Sequence, residues 1–488
     1  MKTTSTFAAL AATLLTCIAT INAGDPGEVP SQRRGTADHR GPLPGQITVD
    51  PDHPQWLMRH GGGHVFLCGP GDPEGFLYLG RRNPDGTRDG DQTQRIEKLI
   101  RHGGNCIYMQ IVRSHGGDAK DDRTQNPFVD SDPAKGLDED ILNQWDEWFT
   151  LMDRHGILIY LFFYDDGARI WDTGDKVGPD ERAFVETIVR RFKHHKNLIW
   201  VVGEESEERY STARVQAVAE IIRAADDHQH LIGNHHHSGT TFKAWQADGA
   251  LNHFAMQLGE TDDEAHAGAI EALRKSAGRY QILYSESTAQ RTGVEGMRRH
   301  AWSVAMAGLM PMLLNMDIAG TPAEALGQCR HLQEFFESTD FWTMTSHDEL
   351  AHAGTKYVLA DPGRSYIAYA DRPASQLGLK NLPAGRYAVT WLDCRTGRTS
   401  TLDQQMDQAG DHAFAKPPEI GDECAAWIRR VIDFPPPESL GGWRKLDRPE
   451  DIRRLAGMDP DKLAELKDWL LQSDNRDFAA VVIRNGYV

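Results

Sequence analysis

From His64 onward the chain alternates short, β-rich apolar runs with stretches whose apolar positions recur every three to four residues. That alternation predicts repeated strand and helix units laid into a parallel sheet. The strand runs fall at 65–68, 105–111, 157–164, 198–202, 231–234, 253–258, 281–284 and 310–315, and the helical stretches between them at 91–102, 139–155, 180–194, 211–227, 263–277 and 294–307. Two helices end in a basic last turn followed by glycine, Arg101-His102-Gly103 and Arg154-His155-Gly156, the usual helix stop. Runs such as Leu158-Ile159-Tyr160-Leu161-Phe162-Phe163 are apolar on both faces, as strands covered on both sides must be. Eight such strands close a (β/α)8 TIM barrel, whose usual length of about 250 residues fits the span available. A doubly wound open sheet is the competing arrangement, but no glycine-rich phosphate loop follows any strand.

After Thr339 the period shortens to the alternation of strands, at 365–370, 385–393 and 425–431, which predicts a small C-terminal β-sandwich. Pro435-Pro436-Pro437 reads as a stiff linker, followed by a helix at 459–472 and a strand at 478–484. The expected organisation is a signal peptide at 1–23, an N-terminal extension at 24–63, the barrel at 64–342, the sandwich at 343–433, and a linker and tail at 434–488 that reads as the opening of a further domain. The signal reading rests on Lys2, the apolar run 7–21 and Ile21-Asn22-Ala23 as a cleavage site. A secreted or periplasmic protein is expected, and no other segment is apolar enough to cross a bilayer.

Composition narrows the partners. The net charge of −18 disfavours nucleic acid and anionic membrane surfaces, both of which need a basic face. Apart from Cys17 in the leader, five scattered cysteines form neither a disulfide framework nor a zinc pattern. A neutral carbohydrate substrate suits this chain better, with no cofactor and no metal.

In such a barrel, reactive groups collect at the C-terminal ends of the strands, and carboxylates are abundant there. The third strand run ends in Asp165 and Asp166, the fourth in Glu204 and Glu205, the seventh in Glu286 and the eighth in Asp317. Glycoside hydrolysis needs two carboxyl groups across the scissile bond, one to protonate the leaving oxygen and one to attack or to activate water. The fourth and seventh strands, about three units apart around the barrel, supply such a facing pair.

Lys196-Asn197-Leu198-Ile199-Trp200-Val201-Val202-Gly203-Glu204-Glu205 resembles the fourth-strand segment of the large retaining clan of barrel glycosidases, and Gln281-Ile282-Leu283-Tyr284-Ser285-Glu286 resembles their seventh-strand segment. Residues 142–163, with Arg154-His155-Gly156 leading into a strand, fit the same clan. Arg386-Tyr387-Ala388-Val389-Thr390-Trp391-Leu392-Asp393-Cys394-Arg395-Thr396-Gly397 resembles the small β domain, named for collagen binding, that follows apiosidase-like barrels. The resemblance spans about residues 45–432 and implies an apiosidase-like, retaining glycoside hydrolase with Glu286 as nucleophile and Glu205 as acid/base. Where the clan carries asparagine before the acid/base, this chain carries Glu204, which leaves Glu204 as the alternative proton donor and otherwise a substrate contact.

Asp165, Asp166 and Asp317 divide between substrate contact and loop capping. His235 and His237, alternate residues of a His-His-His run, offer sugar hydrogen bonds, and Gln257 offers a sugar contact or a support for the nucleophile. Trp171 offers a stacking platform for a pyranose. Two rival functions remain: a carbohydrate-binding barrel without catalysis, and a histidine-dependent metallohydrolase. The tail resembles the start of β-lactamase-like serine hydrolases but lacks their Ser-x-x-Lys.

Overall fold

The computed structural model describes residues 40–72, 75–114, 124–168, 170–171, 173–236, 242–245, 249–286, 293–312, 314–431, 444–473, 481–485 and 487–488. The leader, the proline run and His237 lie outside them. Strands β1 (Ile47–Val49), β2 (Leu57–Arg59) and β3 (His64–Val65) pair antiparallel in a small sheet. A seven-stranded parallel sheet follows: β4 (Cys106–Val112), β5 (Leu158–Tyr164), β6 (Leu198–Gly203), β7 (Ile232–His236), β8 (His253–Gln257), β9 (Gln281–Glu286) and β10 (Met310–Pro311). The helices between and after these strands are α1 (Gln92–His102), α2 (Glu139–Arg154), α3 (Pro179–Phe192), α4 (Thr212–Ala225), α5 (Asp262–Ser276), α6 (Gly293–Met306) and α7 (Ala323–Glu337).

The eighth barrel position is filled by residues 66–71, which bond the flanking strands on both sides. Asn105 N–H donates to the Cys68 carbonyl, while the Gly69 and Gly71 N–H groups donate to the Pro311 and Asn315 carbonyls. The sheet therefore closes, as the eight apolar runs require. Six helices lie within two residues of their predicted ends, and α7 is an addition.

Alternation along the strands sorts side chains into two cores. Ile107, Met109, Ile159, Leu161, Phe163, Trp200 and Phe254 face the helices. Cys106, Tyr108, Leu158, Tyr160, Phe162, Ile199, Val201, Ala255 and Leu283 fill the barrel interior. The sheet β1–β3 closes the floor: Ile47 N–H donates to the Lys196 carbonyl, and Arg59 bonds Asn197, both at the start of β6. The segment expected as an extension up to residue 63 is thus partly built into the barrel, because the floor of a barrel this apolar needs a cover.

The C-terminal part is a two-sheet sandwich, as expected. Its larger sheet has the order β11 (Thr345–Ser346), β13 (Tyr357–Asp361), β14 (Ser365–Ala370), β19 (Cys424–Val431), β16 (Gly385–Asp393), β17 (Thr399–Met406). The smaller has β12 (Ala351–His352), β15 (Gln376–Leu382) and β18 (Gly410–Ala415). Between them lies a third core containing Val358, Tyr366, Leu377, Tyr387, Trp391, Phe414 and Ile428. The outer face of the larger sheet rests on the barrel, with Tyr369 stacked on Trp302 of α6 at 5.0 Å. In the tail, α8 (Pro449–Asp451) and α9 (Pro460–Ser473) are present. The strand expected at 478–484 is not formed over 481–484, where only isolated bridges such as Arg484 to Tyr487 occur. With Val481 and Ile483 exposed, nothing there pairs the apolar run into a sheet. All five cysteines among the described residues are buried and free.

Candidate active site

Three strands bring a carboxylate, an amide and a second carboxylate to one point at the barrel mouth. Gln257 ends β8, and its amide nitrogen donates to Glu205 Oε1 at 2.5 Å and also to Glu286 Oε2. A single nitrogen within hydrogen-bond reach of both carboxylates brings one oxygen of each side chain close to one oxygen of the other.

Backbone irregularities at two of these strand ends accompany this meeting. On β9 the register shifts: Met256 pairs with Tyr284, but Gln257 pairs with Glu286, so Ser285 is an extra residue. Such a bulge re-aims the side chains around it. Strict alternation from Leu283 would place Ser285 inward and Glu286 outward; with the bulge, Ser285 bonds His235 while Glu286 reaches Gln257. On the chain leaving β6, Glu205 adopts φ 39° and ψ 43°, the left-handed conformation that non-glycine residues rarely take. Strain of this kind, about 1–3 kcal/mol, concentrates at functional sites. The turn is held by the Glu204 N–H to the Tyr164 carbonyl at 3.0 Å, the Glu208 N–H to the Glu205 carbonyl at 2.9 Å, and the Glu205 N–H to His235 Nδ1 at 3.4 Å.

His235 lies below the pair and is fully buried. Because the Glu205 N–H can only donate, Nδ1 is an acceptor, and it also receives the Tyr108 hydroxyl at 3.0 Å. Nε2 then carries the proton and donates to Ser285 Oγ at 2.9 Å. The expectation that His235 contacts sugar is corrected: it faces inward but sits too deep, and both ring nitrogens serve as supports for the turn and the bulge. The same engagement removes it from a metal-ligand role in this arrangement.

Glu204 turns away from its neighbour. Its carboxyl accepts from Gln110 Nε2 at 2.7 Å and bonds the Tyr108 hydroxyl. Burial raises its pKa to about 8; the nearby Asp165 also raises it, while Arg113, Tyr108 and Gln110 pull the other way without prevailing. Neutral Glu204 can donate its proton to the Tyr108 oxygen while the Tyr108 hydroxyl donates to His235, giving a chain of bonds from Glu204 to Ser285. Glu205 rather than Glu204 thus stands opposite Glu286.

The remaining candidates separate clearly. Asp166 lies with Glu205 and Glu208, their carboxylate oxygens within 4.8 Å of one another. Asp165 is fully buried and receives the N–H groups of Ser114 and Gly167 at 2.6 and 3.1 Å, so it caps the loop instead of meeting substrate. Asp317 is exposed on the rim and pairs with Arg95 at 3.3 Å, beside the buried Asp72 to Arg95 bridge at 2.6 Å. Trp171 is half-buried against Phe128 and Phe184, at 5.8 and 5.2 Å, and packs into the wall rather than standing open as a platform. His237 falls outside the described residues. Tyr108, Gln110, Arg113 and Ser285 were not singled out beforehand. Inward alternation of Cys106, Tyr108 and Gln110 on the second barrel strand was the signal available for two of them.

Residues 88–308 match the apiosidase-like catalytic domain family. A family 5 glycoside hydrolase from Bacteroides vulgatus has a similar structure, with a TM-score of 0.60, 13% identity, and coverage of 80% of this chain and 94% of that one. A second structure, described as a glycoside hydrolase, gives a TM-score of 0.58 at 14% identity and covers 81% and 99% of the two chains. No curated protein gives a significant match. The barrel therefore has the fold of these glycoside hydrolases. Among the described residues no helix is long and apolar enough to cross a membrane.

Proposed function

We propose that this chain hydrolyses glycosidic bonds of a poly- or oligosaccharide by double displacement with retention. The observation that carries the reading is the Gln257 nitrogen touching both Glu205 and Glu286, a spacing that leaves no room for a water between nucleophile and sugar. Glu286 attacks the anomeric carbon while Glu205 protonates the departing oxygen. Glu205 then takes a proton from the water that releases the sugar from Glu286, regenerating both groups. Gln257 steadies the two carboxylates, and its hold on Glu286 passes to Glu205 as the nucleophile's charge is spent on the new bond. The Lys2-led apolar run before residue 23 supports export to the periplasm or the medium. The test is proton NMR of the first-formed anomer from a glycan that the enzyme cleaves. Retention is expected, and an inverted first product would overturn the mechanism.

Glu204 adds a pH dependence. It carries its proton below about pH 8 and loses it above, so alkaline ionisation puts a new negative charge next to Glu205 and breaks its donation to Tyr108. Activity is expected to fall as pH rises through about 8. Glu204→Gln, which keeps a neutral donor at every pH, should retain activity and lose that alkaline limb in the kcat/KM profile. An unchanged limb would show that another group titrates.

A further inference from the structure

Away from the mouth, between α2 and the end of α3, two imidazoles and a carboxylate converge. His194, His195 and Asp146 each direct one ligand-capable atom into a common space, all within 4.8 Å of one another. His195 Nε2 is 2.9 Å and His194 Nε2 is 3.4 Å from the same oxygen, Asp146 Oδ1. Ligands bound tetrahedrally at about 2.0–2.1 Å stand roughly 3.4 Å apart, so the separations already bracket those of a bound ion.

The hydrogen-bond chemistry is independent of that spacing. His194 Nδ1 lies 3.1 Å from the Arg191 carbonyl, which can only accept, so Nδ1 carries the ring proton. Nε2 is then the nitrogen turned toward the Asp146 carboxylate. A carbonyl fixing Nδ1–H while Nε2 is left available is the support that metal-ligating histidines ordinarily have. His195 is buried against Phe149 and Phe192. His194 is more than half exposed and Asp146 about a third, which gives an ion a path from solvent and leaves water to complete its shell.

We propose that Asp146, His194 and His195 form a binding site for a divalent transition-metal ion of the zinc type. Two imidazole nitrogens and one carboxylate oxygen are the donors such an ion prefers over calcium or magnesium. The ion would tie α2 to the segment joining α3 and β6, on the side of the barrel away from the catalytic strand ends. Its role is therefore structural, and the glycosidase reading does not depend on it.

The test is titration of tag-free, chelator-stripped full-length protein with Zn2+ by calorimetry, alongside thermal unfolding with and without the ion. One site is expected, with binding weakened at least about tenfold in His194→Ala and in Asp146→Asn, and with Zn2+ raising the melting temperature of the wild type but not of either variant. His194 is exposed, so His194→Ala is expected to fold, and circular dichroism checks that it does. Absence of binding at millimolar Zn2+, or binding unchanged in both variants, would overturn the proposal. So would a Zn2+-induced rise in melting temperature that both variants retain.

Discussion

Glu286→Ala is expected to lower kcat by at least about 10⁴-fold, equivalent to roughly 5.5 kcal/mol of transition-state stabilisation, with little change in KM. The Glu286 carboxylate is held by Gln257 at the bulge of β9. Glu205 shares the same amide but leaves a strained turn on the opposite side, so it cannot take over attack. Added azide separates the roles. In Glu286→Ala it enters the vacated space and attacks the sugar directly, giving a glycosyl azide of inverted configuration. In Glu205→Ala it intercepts the glycosyl-enzyme and gives the retained configuration. Glu204→Ala, whose carboxyl bonds Gln110, should give neither rescue. Full activity in Glu286→Ala would remove it as nucleophile, and azide rescue of Glu204→Ala with retention would make Glu204 the acid/base.

The architecture was legible where a period runs unbroken. The eight apolar runs located the barrel strands, and alternation along Gly385–Asp393 and Cys424–Val431 located two central strands of the sandwich. The site was legible only to the level of which strand ends carry it. Alternation carries one bit of information per residue, and both candidate carboxylates lie where it breaks: Glu286 follows Ser285, an extra residue in β9, and Glu205 sits in a left-handed turn. Depth is also invisible in a period of two. His235 and Gln257 both point inward, yet one is fully buried and the other sits at the mouth, because His235 pairs with Ala255, two residues before Gln257 on β8. Trp171 shows a third limit, since nothing in a sequence distinguishes a ring that will find Phe128 and Phe184 from one left open. Helix α7 escaped notice for a related reason. It packs into the core shared with the β domain through Leu332, Phe335 and Phe336 while Leu326 faces the outer barrel core, which blurs a one-sided stripe.

The largest stability effect is expected at Glu423, where the two parts of the chain meet. Glu423 lies at the start of β19 and is 4% exposed; Arg298 of α6 is 5% exposed. Their side chains pair directly, Arg299 Nε stands 3.2 Å from the second oxygen, and Arg298 Nη1 donates to Gln328 of α7 at 3.1 Å. Glu423→Ala leaves the Arg298 guanidinium buried without its counter-charge, a change that costs about 3–5 kcal/mol. At the roughly 2–4 °C per kcal/mol of domains of 150–250 residues, melting should fall by at least about 6 °C, read by calorimetry. The cause is separable from simple loss of packing. Replacing both partners, Glu423→Leu with Arg298→Met, removes the stranded charge and keeps the volume, so most of the loss should be recovered; Arg299 keeps Glu295 as its partner. If the double variant melts as low as Glu423→Ala, the ion pair is not what joins barrel to sandwich, and the apolar contacts around Trp302 and Tyr369 carry that junction instead.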